Sequence, residues 1–334
     1  MEFTLIFCVA LSFLATFLLL PTWIKRTKKA GLTGKDMNKY DKKEIAEAGG
    51  ICFVAGLLLG ILSYIFLKTF YLSSTSDMNI IQIISLASVV LIISFIGFID
   101  DVLGWKIGLR QREKPILCLF AAIPLMVINA GTSTMNLPLI GVIDFGILYT
   151  LILIPLGITI AANAFNLLAG YNGLEAGQGI IILSTIAILL RITGQNPLYL
   201  ITLCAIAALI AFLIFNKFPA KIFPGDTLTY SVGAFIAGIA ILGNMEKVAV
   251  FLFIPYILEF LLKLRGKLKK ESFAKPNKDN SLDLQYKKIY GLEHLAIRIL
   301  KKVKPSKKVY EKDVVFLIWG FQILLGIILF LIIY

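Results

Sequence analysis

Three short polar stretches carry residue types that could do chemistry, and each borders an apolar run. The first is Asp100-Asp101, which follows Ser94-Phe-Ile-Gly-Phe-Ile. Carboxylates at the edge of a membrane-like run are costly, which makes them functional candidates by default. Such a pair can hold Mg²⁺, share a proton, or simply end a helix in water. The second stretch runs from Asn163 to Gly179 and holds Asn163, Asn166, Asn172, Glu175, Gln178 and four glycines. Asn163 and Asn166 are three residues apart, so on a helix both amides face one way. Asn172-Gly173 is a turn signal, but a turn does not need this density of amides. The third is Phe223-Pro-Gly-Asp226-Thr227, preceded by Asn216, Lys217 and Lys221. Asp226 serves there as an N-cap or as a ligand, and the helix N-terminus behind it suits a phosphate. The first polar loop adds Lys39 and Glu47 more weakly, because a basic run at that place is also a topology signal.

Together these groups point to Mg²⁺ held by one or two protein oxygens plus substrate phosphates, with lysines around it. That set suits phosphoryl transfer, in which positioning and charge neutralisation do most of the work. Other chemistries lack their parts. The chain has no HExxH, no Walker A loop and no Rossmann glycine pattern, and its single histidine, His294, excludes a multi-histidine metal site.

The elements that must position these residues are apolar helices. Of 334 residues 58% are hydrophobic and 16% charged, with mean hydropathy +0.88. A soluble enzyme and a disordered chain are both excluded. At about 20 residues per crossing the composition supplies on the order of ten transmembrane helices. Hydropathy places them at 2–24, 48–71, 79–99, 116–131, 144–165, 177–191, 199–215, 229–243, 248–264 and 313–334. Met1–Ile24 lacks a basic leader and a cleavage site, and reads as a retained helix. Residues 25–47, 100–115, 216–228 and 263–313 hold 30 of the 33 Lys and Arg, so this side is cytoplasmic and both termini face outward. The net charge of +13 is thereby a topology signal with attraction to anionic headgroups, and no nucleic-acid partner is implied. Residues 1–334 form a single membrane domain, all-α and polytopic. Its long cytoplasmic loop, 265–312, is too polar to hold a core of its own. Within it Leu292, Leu295, Ala296, Ile299, Leu300 and Val303 share one helical face, with His294, Arg298 and Lys301 opposite, and Pro305 is the stop. That pattern reads as one amphipathic helix on the membrane surface. Four cysteines lie in apolar runs without metal-like spacing and read as buried hydrophobes.

The ordered set Asp36-x-Asn38-Lys39, Asp100-Asp101, Asn163 to Gln178 and Phe223-Pro-Gly-Asp226 resembles the polyprenyl-phosphate N-acetylhexosamine-1-phosphate transferases. The stretch from Asn166 to Gln178 looks most like the eukaryotic and archaeal branch, which acts on dolichyl phosphate. The resemblance covers about residues 31–228 and implies ten transmembrane helices with a cytoplasmic-face active site. It implies transfer of GlcNAc-1-phosphate from UDP-GlcNAc to a polyprenyl (dolichyl) phosphate, with Mg²⁺ as cofactor and Mn²⁺ as a substitute. Asn166 and Asp226 would hold the metal against the diphosphate. Asp100 and Asp101 would sit beside the metal and the acceptor phosphate, and Lys114 would contact the donor phosphates. Asn172 would help hold the uracil, Lys39, Glu47 and Lys221 would lie near the substrates, and Asn163 would support the site. Bacterial members carry several histidines in the last cytoplasmic loop, so the lone His294 argues against the peptidoglycan-precursor branch. His294 and Arg298 are the candidates for phosphate contacts there, with a merely basic helix face as the alternative. Another UDP-N-acetylhexosamine or undecaprenyl phosphate is the alternative substrate set, and a homodimer is left open. An archaeal owner would carry the enzyme in its plasma membrane, a eukaryote in its endoplasmic reticulum. A secondary transporter is the rival class, but its polar groups would sit near the midplane rather than at one face.

Overall fold

The computed structural model describes residues 2–71, 77–110, 112–137 and 141–333. In lipid a helix satisfies its backbone internally, and helices dominate the chain accordingly. The first half holds α1 (Glu2–Ala30), α2 (Gly50–Phe66), α3 (Asp77–Ile107), α4 (Glu113–Ala121), α5 (Ile123–Val127) and α6 (Ile154–Leu167). The second holds α7 (Leu174–Ile192), α8 (Asn196–Asn216), α9 (Gly225–Leu242), α10 (Glu246–Leu252), α11 (Ile254–Leu264), α12 (Leu292–Val303) and α13 (Glu311–Ile333). Three antiparallel two-stranded hairpins decorate the connections: β1 (Thr33–Lys35) with β2 (Glu44–Ala46), β3 (Thr134–Leu137) with β4 (Gly141–Asp144), and β5 (Lys275–Pro276) with β6 (Leu282–Asp283). They leave the all-α reading intact.

Among the described residues eight helical stretches are long and apolar enough to cross a membrane: α1, α2 with its continuation to Tyr71, α3, α6 with the helical turn that begins at Tyr149, α7, α8, α9 and α13. This is an integral membrane protein. The expected spans 116–131 and 248–264 are instead each divided, α4 from α5 at Ala122 and α10 from α11 at Phe253. Pro124 and Pro255 stand in the first turn of α5 and α11, where the missing N–H and the ring both oppose continuation of the preceding helix.

α9 lies at the centre, buried from Thr227 to Ile241, and packs on α2, α3 and α6. Small residues let its first turn approach its neighbours. A Cβ at Gly97 of α3 would stand 2.7 Å from the Asp226 carbonyl, and one at Gly50 of α2 would stand 2.2 Å from the Leu228 nitrogen. Backbone-to-backbone packing of this kind is what glycines at helix interfaces in membranes permit.

The surface helix is α12, but its buried face is turned from the expected one. Leu292, Glu293, His294, Ala296 and Ile297 are buried, while Ile299 and Val303 are 42% and 74% exposed. The cause is that α12 docks on α11 and α13 rather than on lipid alone. Glu259 of α11 accepts the Leu292 N–H at 2.5 Å and fixes the rotation of its first turn.

Candidate active site

The polar site grows from the start of α9. Gly225 adopts φ +69°, open to glycine at little cost, and a Cβ there would lie 2.2 Å from Asp101 Oδ2. Asp101 closes against that turn: Oδ1 accepts the Asp226 N–H at 2.6 Å, and Oδ2 accepts the Thr227 N–H at 3.1 Å and the Thr227 hydroxyl at 2.5 Å. Asp101 is thus an N-cap supplied by another helix, and it satisfies donors that α9 cannot pair internally. The Phe223–Gly225 loop is pinned from the other side. Its Phe223 N–H donates to Ala46 O at 2.8 Å, and the Gly49 and Gly50 N–H groups donate to Phe223 and Pro224 carbonyls at 3.0 and 2.9 Å.

So held, Asp226 meets Lys114, whose Nζ lies 2.7 Å from Asp226 Oδ2 and 2.6 Å from Asp100 Oδ2. Asp100 Oδ1 accepts the Leu109 N–H at 2.7 Å, which folds the end of α3 back toward α4. The adjacent aspartates therefore divide: Asp100 faces the charged trio, and Asp101 faces the backbone of α9. Among the described residues the hydrogen bonds of the Asp101 carboxylate run to the first turn of α9. Asn166 arrives from α6, its Oδ1 accepting the Thr229 hydroxyl at 3.0 Å. Glu47 comes from the first loop. Burial pushes its carboxyl above the usual range, and the Asp226 charge adds to the shift.

Glu47, Asn166, Asn172 and Asp226 line one cavity of about 280 Å³, together with Lys35, Asp36, Glu175, Asn216, Thr229 and Phe273. Its far wall is a knot of buried groups. Lys39 is paired with Glu311 and stands 3.6 Å from Asp36, so it is spent on the wall rather than presented to a ligand. Asn38 bridges three loops, donating from Nδ2 to Gly170 O at 2.9 Å and accepting the Ala274 N–H at 3.1 Å. Asn216 accepts the Gly173 N–H at 3.1 Å and donates to Ile222 O at 2.9 Å.

Other expected residues lie elsewhere. Lys221 and Arg298 are exposed and do not line the cavity. His294 is 1% exposed and its Nε2 is 3.2 Å from the Phe273 carbonyl. Burial depresses its pKa, and the ring supports Phe273, which lines the cavity. Asn163 donates to Thr159 O at 2.8 Å and lines a second, apolar cavity of about 760 Å³ among α6, α9, α10 and α11. α6 fronts both spaces: Asn163, Ala164 and Leu167 face the apolar groove, and Asn166 faces the polar cavity.

Sequence reasoning missed Glu311, Asn216, Phe273 and Lys35 as site residues. Glu311 reads as an ordinary acid in a helix's first turn. Lys35 sits in a run already explained by topology, yet among the described residues it forms no ion pair and lines the cavity. Lys263, at the end of α11, donates to the Leu167 carbonyl at 2.5 Å and pairs with buried Glu259 at 3.2 Å, clamping the loop that follows Asn166.

A helical membrane bundle whose loops gather carboxylates, amides and lysines into one cavity beside a long apolar groove defines a membrane-embedded site for a substrate with a polar head and an apolar tail. Residues 83–244 match the glycosyl transferase family 4 model. A protein of Saccharolobus solfataricus assigned as a UDP-N-acetylglucosamine–dolichyl-phosphate N-acetylglucosaminephosphotransferase is 39% identical, over 96% of this chain and 94% of that protein. The Dictyostelium discoideum enzyme of that name is 33% identical over 74% of this chain and 68% of its own length. A phospho-N-acetylmuramoyl-pentapeptide-transferase of Halalkalibacterium halodurans is 30% identical over 80% and 86%. The chain belongs to glycosyl transferase family 4.

Proposed function

We propose that the protein transfers GlcNAc-1-phosphate from UDP-GlcNAc to dolichyl phosphate, forming GlcNAc-diphosphate-lipid and releasing UMP. The observation that carries this reading is that α6 fronts both spaces, with Asn166 beside Asp226 on the polar cavity and Asn163, Ala164 and Leu167 on the apolar groove. The names of the archaeal and Dictyostelium relatives supply the two substrates. An isoprenoid in the groove would bring its phosphate to the Asn163–Leu167 end of α6. From Ile154 to Leu167 that helix offers about 20 Å of groove wall at about 1.5 Å per residue.

A phosphate monoester has its second pKa near 6 and is mostly ionised at neutral pH, so a strong general base is not required. One lipid phosphate oxygen attacks the β-phosphorus of UDP-GlcNAc, and the bond from that phosphorus to the oxygen of the UMP phosphate breaks. The donor set fits Mg²⁺: Asp226 and Asn166 offer a carboxylate and an amide oxygen, both hard ligands, and both line the cavity. Bound there with substrate phosphates, Mg²⁺ (or Mn²⁺) would neutralise charge on the diphosphate. This chain's own residues orient the reaction. Lys114 neutralises the two carboxylates flanking it, Asp101 fixes the turn that carries Asp226, and Lys35, which forms no ion pair among the described residues, lines the cavity. The basic connections support a cytoplasmic cavity with both termini outside.

The test is UMP release by the purified protein given UDP-GlcNAc, a short dolichyl phosphate and Mg²⁺. Release that requires both lipid and metal, and stops with EDTA, is the expected result. Release from another UDP-sugar alone would replace the donor, and no release from any donor by folded protein would overturn the reading.

A further inference from the structure

Two carboxyl groups meet at the joint between α11 and α12. A Cβ on Gly291 would stand 2.7 Å from Glu293 Oε2 and 3.0 and 3.2 Å from the two Glu259 oxygens, so both side chains converge on one point. Each is within hydrogen-bond reach of the other, and both residues are 0% exposed. Their surroundings do not balance two charges. Lys263 Nζ lies 3.2 Å from Glu259 Oε1, and Glu259 Oε2 accepts the Leu292 N–H. Among the described residues neither Glu293 oxygen receives a hydrogen bond from another residue. Glu175, at the start of α7, is a further buried acid within electrostatic reach, and its Oε1 accepts the Gly170 N–H at 2.7 Å. Tyr171 stands within the same reach from the loop before α7, and Glu311 of α13 is paired with Lys39. His294, the next residue along α12, turns to the Phe273 carbonyl.

One lysine therefore serves several buried acids. Two adjacent carboxylates cannot both hold their charge in a dry site that offers a single cation. A proton on Glu293 removes the second charge and supplies the donor that the joint lacks. The Glu293 hydroxyl then donates to Glu259, which stays ionised against Lys263.

We propose that Glu259 and Glu293 share one proton, and that this proton latches α12 onto α11 beside the polar cavity. The latch bears on two parts of the cavity wall. His294, on the same turn as Glu293, lies 3.2 Å from the carbonyl of Phe273, a lining residue. Lys263, held by Glu259, grips the Leu167 carbonyl next to Asn166. Loss of the proton sets a second buried charge against Glu259, and the first turn of α12 undocks. Burial first, and then the Glu259 charge, hold the Glu293 pKa well above its ordinary 4.5. The docked side chain thus binds its proton more tightly than an undocked one. The contribution of the latch is complete below pH 4.5 and is lost as pH rises through the docked value.

The experiment is hydrogen exchange of the α12 backbone amides in the full-length detergent-purified protein, read by mass spectrometry from pH 4.5 upward with the intrinsic exchange rate divided out. One proton released on undocking makes the open state up to about tenfold more populated for each pH unit, so wild-type protection should fall at up to that rate. Glu293→Gln keeps a neutral group that donates to Glu259 and has no proton to lose. Its protection relative to wild type should climb with pH by the same factor, and His294, present in both proteins, cancels from the ratio. Glu259→Gln carries the test if Glu293→Gln does not fold: it removes the opposed charge, keeps an acceptor for the Leu292 N–H and should flatten the slope in the same way. A protection ratio that stays constant with pH in a folded variant would overturn the proposal, as would a wild type whose α12 protection does not fall as pH rises.

Discussion

Asp100 and Asp101 are adjacent in sequence, and the structure gives them separable jobs, which mutation can tell apart. Asp101→Ala removes three hydrogen bonds to a carboxylate, at 2.6, 3.1 and 2.5 Å, from the first turn of α9. A helix cap is worth about 0.5–2 kcal/mol and a hydrogen bond to a charged group about 1.5–3 kcal/mol, with strong non-additivity when they share an acceptor. Asp101 is 8% exposed, so water does not readily replace the lost acceptor. We expect a loss of about 2–4 kcal/mol, which in a chain of this size is a fall in Tm of roughly 3–6 °C. Asp100→Ala loses one backbone bond at 2.7 Å and one partner of Lys114, which keeps Asp226. Its Tm should stay within about 2 °C of wild type, while UMP release falls about 100-fold or more, as for loss of a charged group in a phosphoryl-transfer site. Thermal unfolding in detergent, monitored by tryptophan fluorescence, and UMP release on the same samples give both readouts. An Asp101→Ala protein that melts with the wild type and loses only turnover would refute the capping argument.

His294 tests the pH logic. Its folded pKa lies below its ordinary value of 6.5 because burial opposes the charge, so the unfolded chain binds the extra proton first. That stability is complete above pH 6.5 and is lost as pH falls below it; His294→Gln should remove this slope, measured as Tm against pH relative to wild type. Lys263→Met leaves Glu259 buried and unpaired and frees the Leu167 carbonyl, a cost of about 3 kcal/mol. Adding Glu259→Gln should recover more than half of the lost Tm. Gly157 lines the apolar groove, and a Cβ there meets nothing within 4 Å, so Gly157→Leu should project into the groove without clash. It should raise KM for the lipid phosphate at least several-fold and leave UDP affinity unchanged; an unaltered lipid KM would remove the acceptor from that groove.

Much of this protein is legible in its residues taken one stretch at a time. Apolar runs of about 20 residues must be helices in lipid, because no water is present to pair an open backbone. The polar blocks at 100–101, 163–179 and 223–227 stand out because charge and amide groups are expensive at a membrane edge. The sequence also contains the reasons for the broken α4–α5 and α10–α11 spans, in Pro124 and Pro255, although hydropathy averages over a proline and reports one run.

What sequence could not decide is which way each side chain turns. Asp100 and Asp101 have the same local context, and only the approach of Gly225, with its positive φ, makes one a cap and the other a partner of Lys114. Lys39 reads as a substrate cation until Glu311, 272 residues away, neutralises it. On α12 a helical wheel finds an apolar stripe, but docking against Glu259 of α11 buries Glu293 and His294 instead of Ile299 and Val303. Periodicity and local composition are set within a few residues, so the chain alone determines the helices and marks its costly polar groups. Pairing between distant charges depends on distances that exist only after the helices have packed, and tertiary structure alone decides it.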